Sequence, residues 1–261
     1  KNPSTSESSV HLEYSKVMMK DYPLMFTFHY GNTEEIPNIE NLLKFKLESN
    51  FIDPETGQTT KLKNYTMTEC SKLNYRQNSE LVQQMIQSTP FKVHCINFSD
   101  YSFFQNGWAT PNSTYVRLIV KLCNPEKHQN CLYDKDIITI RTIGAVISFF
   151  DNIVDSSNYE SPVKPFINRI WYPFSEGILK IINWRIYNNE YISDDGWLLE
   201  SERKIHFLST DNTKFDINLV DPELDNMVLA IVLEAPSLIK KTNRHYMKLQ
   251  ELLARVGGIA N

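Results

Sequence analysis

The chain has 261 residues, 41% of them hydrophobic and 22% charged, a balance ordinary for a globular protein and far from that of disordered chains. Its net charge of -4 excludes a surface that neutralises a nucleic-acid backbone, so no nucleic-acid partner is expected. The most apolar stretch, Ile137 to Val154, is interrupted by Arg141, Ser148 and Asp151, too soon for a bilayer-spanning helix.

Residues Lys1 to Ser9 are polar and rich in Ser, without an apolar period, and read as a flexible leader or linker. Tyr22 to Tyr30 and Leu42 to Phe51 are strand-like, and Asp53-Pro-Glu-Thr-Gly57 behind them is a hairpin turn, with Pro presetting φ and Gly accepting positive φ. Leu81, Val82, Met85 and Ile86 predict a short helix over Ser79 to Ser88, stopped by Pro90. Phe91 to Phe98 and Tyr115 to Cys123 alternate as strands, the second with Val116, Leu118, Val120 and Leu122 on one face. Leu132 to Ile143 reads as a helix, and Ala145 to Val154 as a buried strand.

Further strands are predicted over Phe166 to Tyr172, Gly177 to Tyr191, Trp197 to Leu208 and Met227 to Glu234, separated by Pro, Gly and Asp. Asp194, Asp195 and Gly196 form a hairpin turn between two of them and lack the acidic spacing of a calcium loop. Over residues 240–261, Tyr246, Leu249, Leu253 and Val256 recur at helical spacing. This is an amphipathic helix that either closes the domain with a solvated basic face or lies juxtamembrane or between subunits, its apolar face forming an interface. Lys240, Lys241, Arg244, His245 and Lys248 crowd its start, where cations oppose the helix dipole. The fold class is therefore α+β, mostly antiparallel sheet with a few helices, as one β-rich domain over residues 10–239 between a leader (1–9) and the terminal helix. Beginning at Lys1 and ending within a helical pattern, the chain reads as a processed product or an excised piece.

Cys70, Cys95, Cys123 and Cys131 are even in number and contain no Cys-x-x-Cys, which disfavours zinc ribbons and dithiol redox chemistry. Four cysteines allow three pairings. The short polar loop from Cys123 to Cys131 can close on itself, leaving Cys70 with Cys95; four reduced cysteines in a cytosolic protein are the alternative. Asn64 and Asn112, in expected loops, and Asn97, at an expected strand end, open glycosylation triplets, about as many as chance gives in a chain this rich in Asn, Ser and Thr. No nucleophile elbow, phosphate loop, dinucleotide turn or zinc-protease motif occurs, and His11, His29, His94, His128, His206 and His245 are dispersed, so no metal, cofactor or catalytic residue is assigned.

The strings Cys123-Asn-x₆-Cys131, Asn158-Tyr159 followed by Pro162, Asp194-Asp195-Gly196-Trp197 and Tyr246-x-Lys248-Leu249-Gln250-x-x-Leu253-Ala254-x-x-Gly257-Gly258 resemble large families of ciliate multi-pass membrane proteins. The resemblance covers about the second half of the chain. It implies a β-rich extracytosolic domain following one transmembrane helix, with the terminal helix leading into the next. It brings no catalytic or binding residues.

The resulting expectation is a non-enzymatic extracellular or lumenal domain at the cell membrane that mediates assembly, contact or gating. It would have protein partners or self-association, and a membrane connection through segments outside this chain. The alternatives are a hydrolase or ligand-binding domain, for which Asp194, Asp195, Trp197 and His206 are the residues to inspect, and a structural subunit of a membrane-associated complex.

Overall fold

A strand sends successive side chains to opposite faces, so a period-two apolar pattern buries one face of a sheet against another sheet. The structure is a computed structural model that describes residues 4–11, 16–18, 24–31, 34–36, 38–72, 79–98, 103–105, 113–126, 130–131, 143–155, 157–158, 160–175, 177–196, 201–218, 226–246 and 248–259. The elements run β1 (Ser4–His11), β2 (Lys16–Met18), β3 (Leu24–Tyr30), β4 (Glu34–Glu35), α1 (Ile39–Leu42), β5 (Leu43–Ile52) and β6 (Thr59–Tyr65). Next come β7 (Met67–Glu69), α2 (Ser79–Ser88), β8 (His94–Ile96), β9 (Phe103–Gln105), β10 (Ser113–Leu122), β11 (Ile143–Val154) and β12 (Val163–Pro173). The chain closes with β13 (Ile178–Asp194), β14 (Glu202–Asn218), β15 (Met227–Glu234), β16 (Leu238–His245) and α3 (Leu249–Ile259).

Among the described residues, ten strands form one sheet, ordered β1-β16-β13-β15-β10-β5-β6, with β14 on β13, β9 on β10 and β2 on β9. Six form the other, ordered β12-β11-β3-β8-β7, with β4 on β3. Pairing is antiparallel except where β13 runs parallel to β15 and β16. The core lies between the sheets: Val116, Leu118, Val120 and Leu122 of β10 share one apolar cluster with Phe26 and Phe28 of β3 and Ala145, Ile147 and Phe149 of β11. Phe149 meets Trp184 of β13 edge to face, ring centroids 4.5 Å apart. Full burial of each large apolar side chain contributes about 1.5–3 kcal/mol.

Pro236 divides the run from Met227 to His245. From the pair Arg185 with Glu234 to the pair Asn189 with Lys240, β13 advances four residues and its neighbour six, because proline cannot supply a ladder amide. Across this break the most deeply buried residues of β13 change from Ile182, Trp184 and Ile186 to Asn189, Tyr191 and Ser193.

On the other face of the ten-stranded sheet, Glu48 of β5 sits opposite Arg117 of β10. Its side chain is 3% exposed and lies 2.6 Å from Arg117, 3.1 Å from Lys46 and 3.4 Å from Lys61. Burial by itself would raise the Glu48 pKa, but hydrogen bonds from Arg117 and Lys46 outweigh it and hold the carboxyl below its usual range.

The structure corrects several expectations. Within the segment expected to be a flexible leader, Ser4 to Ser9 belong to β1, which pairs with β16 along its whole length; backbone pairing at an open sheet edge needs no apolar side chains. The terminal helix begins at Leu249 rather than residue 240. Lys240, Lys241, Arg244 and His245 belong to β16, where pairing with β13 and β1 satisfies the backbone, so their charges oppose no helix dipole. Asp194 is the last residue of β13 and pairs with Glu202; the connection spans residues 195–201 and is longer than a two-residue turn. The next strand continues past Leu208 to Asn218 along its full-length pairing with β13. Asn64, expected in a loop, lies on β6. The helix expected from Leu132 falls, apart from Ile143, outside the described residues.

Candidate functional site

The outward face of the six-stranded sheet carries a layer that the core pattern does not reveal. On β3, Leu24, Phe26 and Phe28 point into the core, which leaves Met25, Thr27 and His29 outward; on β11, Ile143, Ala145, Ile147 and Phe149 leave Gly144, Val146, Ser148 and Phe150 outward. Register sets Met25, Ser148 and Arg169 in one row across β3, β11 and β12, then Thr27, Val146 and Trp171, then His29, Gly144 and Pro173.

Helix α2 covers part of this face. Val82 and Met85 pack with Met25, Phe150 and the Cys70–Cys95 disulfide, and Cys95 is the residue of β8 opposite Met25. The disulfide thus ties the turn before α2 to the sheet that α2 covers, and the Cys70 amide donates to the Val93 carbonyl at 2.9 Å. Closing such a loop restricts the unfolded chain and stabilises the fold by about 2–4 kcal/mol.

Between α2, residues 89–91 and the sheet lies a cavity of about 330 Å³. His29, 4% exposed, stacks on Phe91 at 4.8 Å and on Trp171 at 4.6 Å between ring centroids. Its Nδ1 contacts the Gly31 carbonyl; because a carbonyl only accepts, Nδ1 donates its hydrogen there. Trp171 reaches His29 across β11 only because Gly144 lies beneath it: a Cβ there would stand 2.6 Å from the Trp171 Cη2 atom and 2.5 Å from the Tyr172 carbonyl oxygen. Thr27 and Ser148 are also buried in the lining, and the Ser148 Oγ and Thr89 Oγ1 atoms have no hydrogen-bond partner among the described residues. Arg169 stands exposed at the rim, 3.4 Å from the Ser88 hydroxyl to which it donates.

A larger hollow of about 600 Å³ lies beside Asn189, Ser209, Lys240 and Lys241, but its cations are engaged. Lys241 is 3.1 Å from Glu190, and Lys240 lies over the Tyr187 ring at 4.6 Å.

Of the residues singled out in sequence, Cys70 and Cys95 anchor the helix over this cavity, and the others lie elsewhere. Both expected disulfides are present, Cys70 with Cys95 and Cys123 with Cys131. Asn64 and Asn97 are exposed; Asn112 lies outside the described residues. Asp194 accepts from the amides of Ser201 at 2.9 Å and Gly196 at 3.2 Å and pairs with Lys248 at 2.8 Å. The Lys248 bond, then these amides, lower its pKa to about 2. Asp195 pairs with Arg203 at 3.3 Å. His206 is not brought to Asp194: it lies opposite Glu190, four residues back along β13, and is 75% exposed, while Trp197 lies outside the described residues. Tyr246 precedes α3 and packs under the buried Arg244 guanidinium at 4.6 Å, Leu249 is half-buried, and Leu252, Leu253 and Val256 are exposed. Among the described residues no helix is long and apolar enough to cross a membrane, and no group of side chains is arranged to hold a metal.

Sequence reasoning did not single out Phe91, Ser148, Arg169 or Trp171. The available signal was Gly144, a glycine inside an apolar strand, which marks close approach by another group.

No curated protein matches the chain in sequence. Among solved structures, a proton-activated chloride channel determined by cryo-EM is similar at a TM-score of 0.37 and 10% identity, over 99% of this chain and 79% of that one. The crystal structure of Erv41p is similar at a TM-score of 0.30 and 10% identity, over 88% of this chain and 99% of that one. Likenesses of this size carry no argument about activity. A family described as uncharacterised 80 kDa protein N-terminal domain matches residues 25–233, a span holding every residue of the cavity and ending before β16 and α3. By that match, which covers most of its length, the chain belongs to the uncharacterised 80 kDa protein N-terminal domain family.

Proposed function

We propose that this chain is a non-enzymatic domain on the extracellular or lumenal side of a membrane protein, where it mediates assembly, contact or gating for segments outside this chain. The observation that carries the reading is the pairing of all four cysteines, with Cys70, Cys95 and Cys123 at most 1% exposed within the fold. Disulfides built into a fold persist in oxidising compartments and are rare in the cytosol. Exposed Asn64 and Asn97 are open to glycosylation there. The family description names the N-terminal domain of an 80 kDa protein, and this chain of 30.5 kDa fits one domain of such a protein. The resemblance to ciliate multi-pass proteins supports the same topology.

Helix α3 supplies the contact surface in this reading. Leu252, Leu253 and Val256 are 47–61% exposed on it, and the Lys248–Asp194 pair fixes its start to the end of β13. In a protein that oligomerises around a membrane-embedded remainder, that apolar face is where the remainder or a second copy packs.

The competing hydrolase reading would need Asp194 free to act. Its carboxylate is instead committed to two amides and Lys248, an arrangement that holds a loop together.

The test is a non-reduced peptide map of protein taken from its native source. Linked Cys70–Cys95 and Cys123–Cys131 peptides with glycan on Asn64 or Asn97 are expected. Free thiols with bare asparagines would overturn the location and favour a cytosolic scaffold.

A further inference from the structure

We infer that the cavity beneath α2 binds a small carboxylate that carries an apolar body. Its volume of about 330 Å³ falls at the lower end of the range of small-molecule sites, enough for a single ring or a short alkyl chain. Among the described residues, the ionisable groups in its lining are His29 and Arg169 and no carboxylate lines it, so the local field favours an anion over a cation. Arg169 at the mouth presents a guanidinium, the group best matched to the two oxygens of a carboxylate.

Inside, the Ser148 hydroxyl is the decisive group. The residue is 1% exposed, and its Oγ has no hydrogen-bond partner among the described residues. It occupies the position of β11 directly opposite Arg169, so one ligand head group would meet both. A hydroxyl buried without a partner is destabilising, and an accepting ligand oxygen removes that cost. Met85, Val146 and Trp171 supply apolar walls for the rest of the ligand. The site is built into the fold: Gly144 seats Trp171 against His29, and the Cys70–Cys95 disulfide holds α2 above the sheet.

The experiment titrates the 261-residue chain calorimetrically with acetate, hexanoate, benzoate and phenylacetate, using benzamide and benzylamine as neutral and cationic counterparts. Saturable binding of at least one of hexanoate, benzoate and phenylacetate is expected, with benzamide and benzylamine about 10-fold or more weaker than benzoate. Arg169→Gln, an exposed change on β12, lowers carboxylate affinity by a similar factor, and bound carboxylate shifts the NMR signals of the Trp171 indole and the Met85 methyl. If none of these carboxylates saturates, if benzamide binds as tightly as benzoate, or if Arg169→Gln binds unchanged, the inference is overturned and the cavity holds water only. The titration uses the chain with Cys70–Cys95 formed and depends on neither glycan nor compartment, so it stands or falls apart from the location proposed above.

Discussion

The Lys248 ammonium lies 2.8 Å from a carboxylate oxygen of Asp194, which ties the first residues of α3 to the last residue of β13. Asp194 also accepts two backbone amides of the loop that follows, so one carboxylate closes the β13–β14 connection and positions the terminal helix.

That pair makes stability sensitive to acid. The Asp194 pKa falls from an ordinary 3.8 to about 2 in the fold, so its contribution is complete above pH 3.8 and is lost as the pH drops through about 2. Urea midpoints measured across this window should fall less steeply for Asp194→Asn than for the natural chain. Equal slopes would show that the carboxylate is not held in this way.

Replacing Lys248 by Met leaves the sheets untouched and frees the start of α3. Hydrogen exchange should then quicken across residues 249–259 while amides of β5 and β10 keep their protection. Unchanged protection in α3 would assign its docking to Tyr246 and Leu249 instead.

Gly144→Ala places a methyl group against Trp171 and the Tyr172 carbonyl. Overpacking of this kind costs about 1–3 kcal/mol, and displacement of the indole should reduce the near-ultraviolet dichroism of the stacked rings. Retention of both stability and signal would mean that Trp171 does not rest on Gly144.

Loss of the Cys70–Cys95 bond, by replacing both residues with Ser, should destabilise the chain by about 2–4 kcal/mol and open α2 to protease before global unfolding. Peptide mapping of the first cleavage products locates the opening, and a first cut outside α2 and its flanks would contradict the anchoring role.

Arg117→Met removes the nearest of three cations around a buried carboxylate. Lys46 and Lys61 remain, so the cost should lie below the roughly 3–5 kcal/mol of a fully broken buried pair, and the Glu48 pKa should rise toward its ordinary value. Carboxyl NMR titration beside urea denaturation reads both effects.

What the sequence by itself determined is everything set by neighbours a few residues apart. Val116, Leu118, Val120 and Leu122 alternate and form the buried face of β10; Leu81, Val82, Met85 and Ile86 recur at helical spacing and form α2; Asp53 to Gly57 make a hairpin turn, with Gly57 at φ 68°. The sequence separation of eight between Cys123 and Cys131 makes ring closure local, so that disulfide was legible too, and the other followed from it. Only the tertiary structure decided which edges meet. The polar segment Ser4–His11 has no pattern that selects β16, and Leu238–His245 carries charges that suit a helix surface as well as a strand, so the choice was made by backbone groups of distant strands needing partners. The cavity lies beyond sequence reasoning for the same reason. His29, Gly144 and Trp171 come together through the register of β3, β11 and β12, and register is fixed by long-range pairing, which leaves no local period to read.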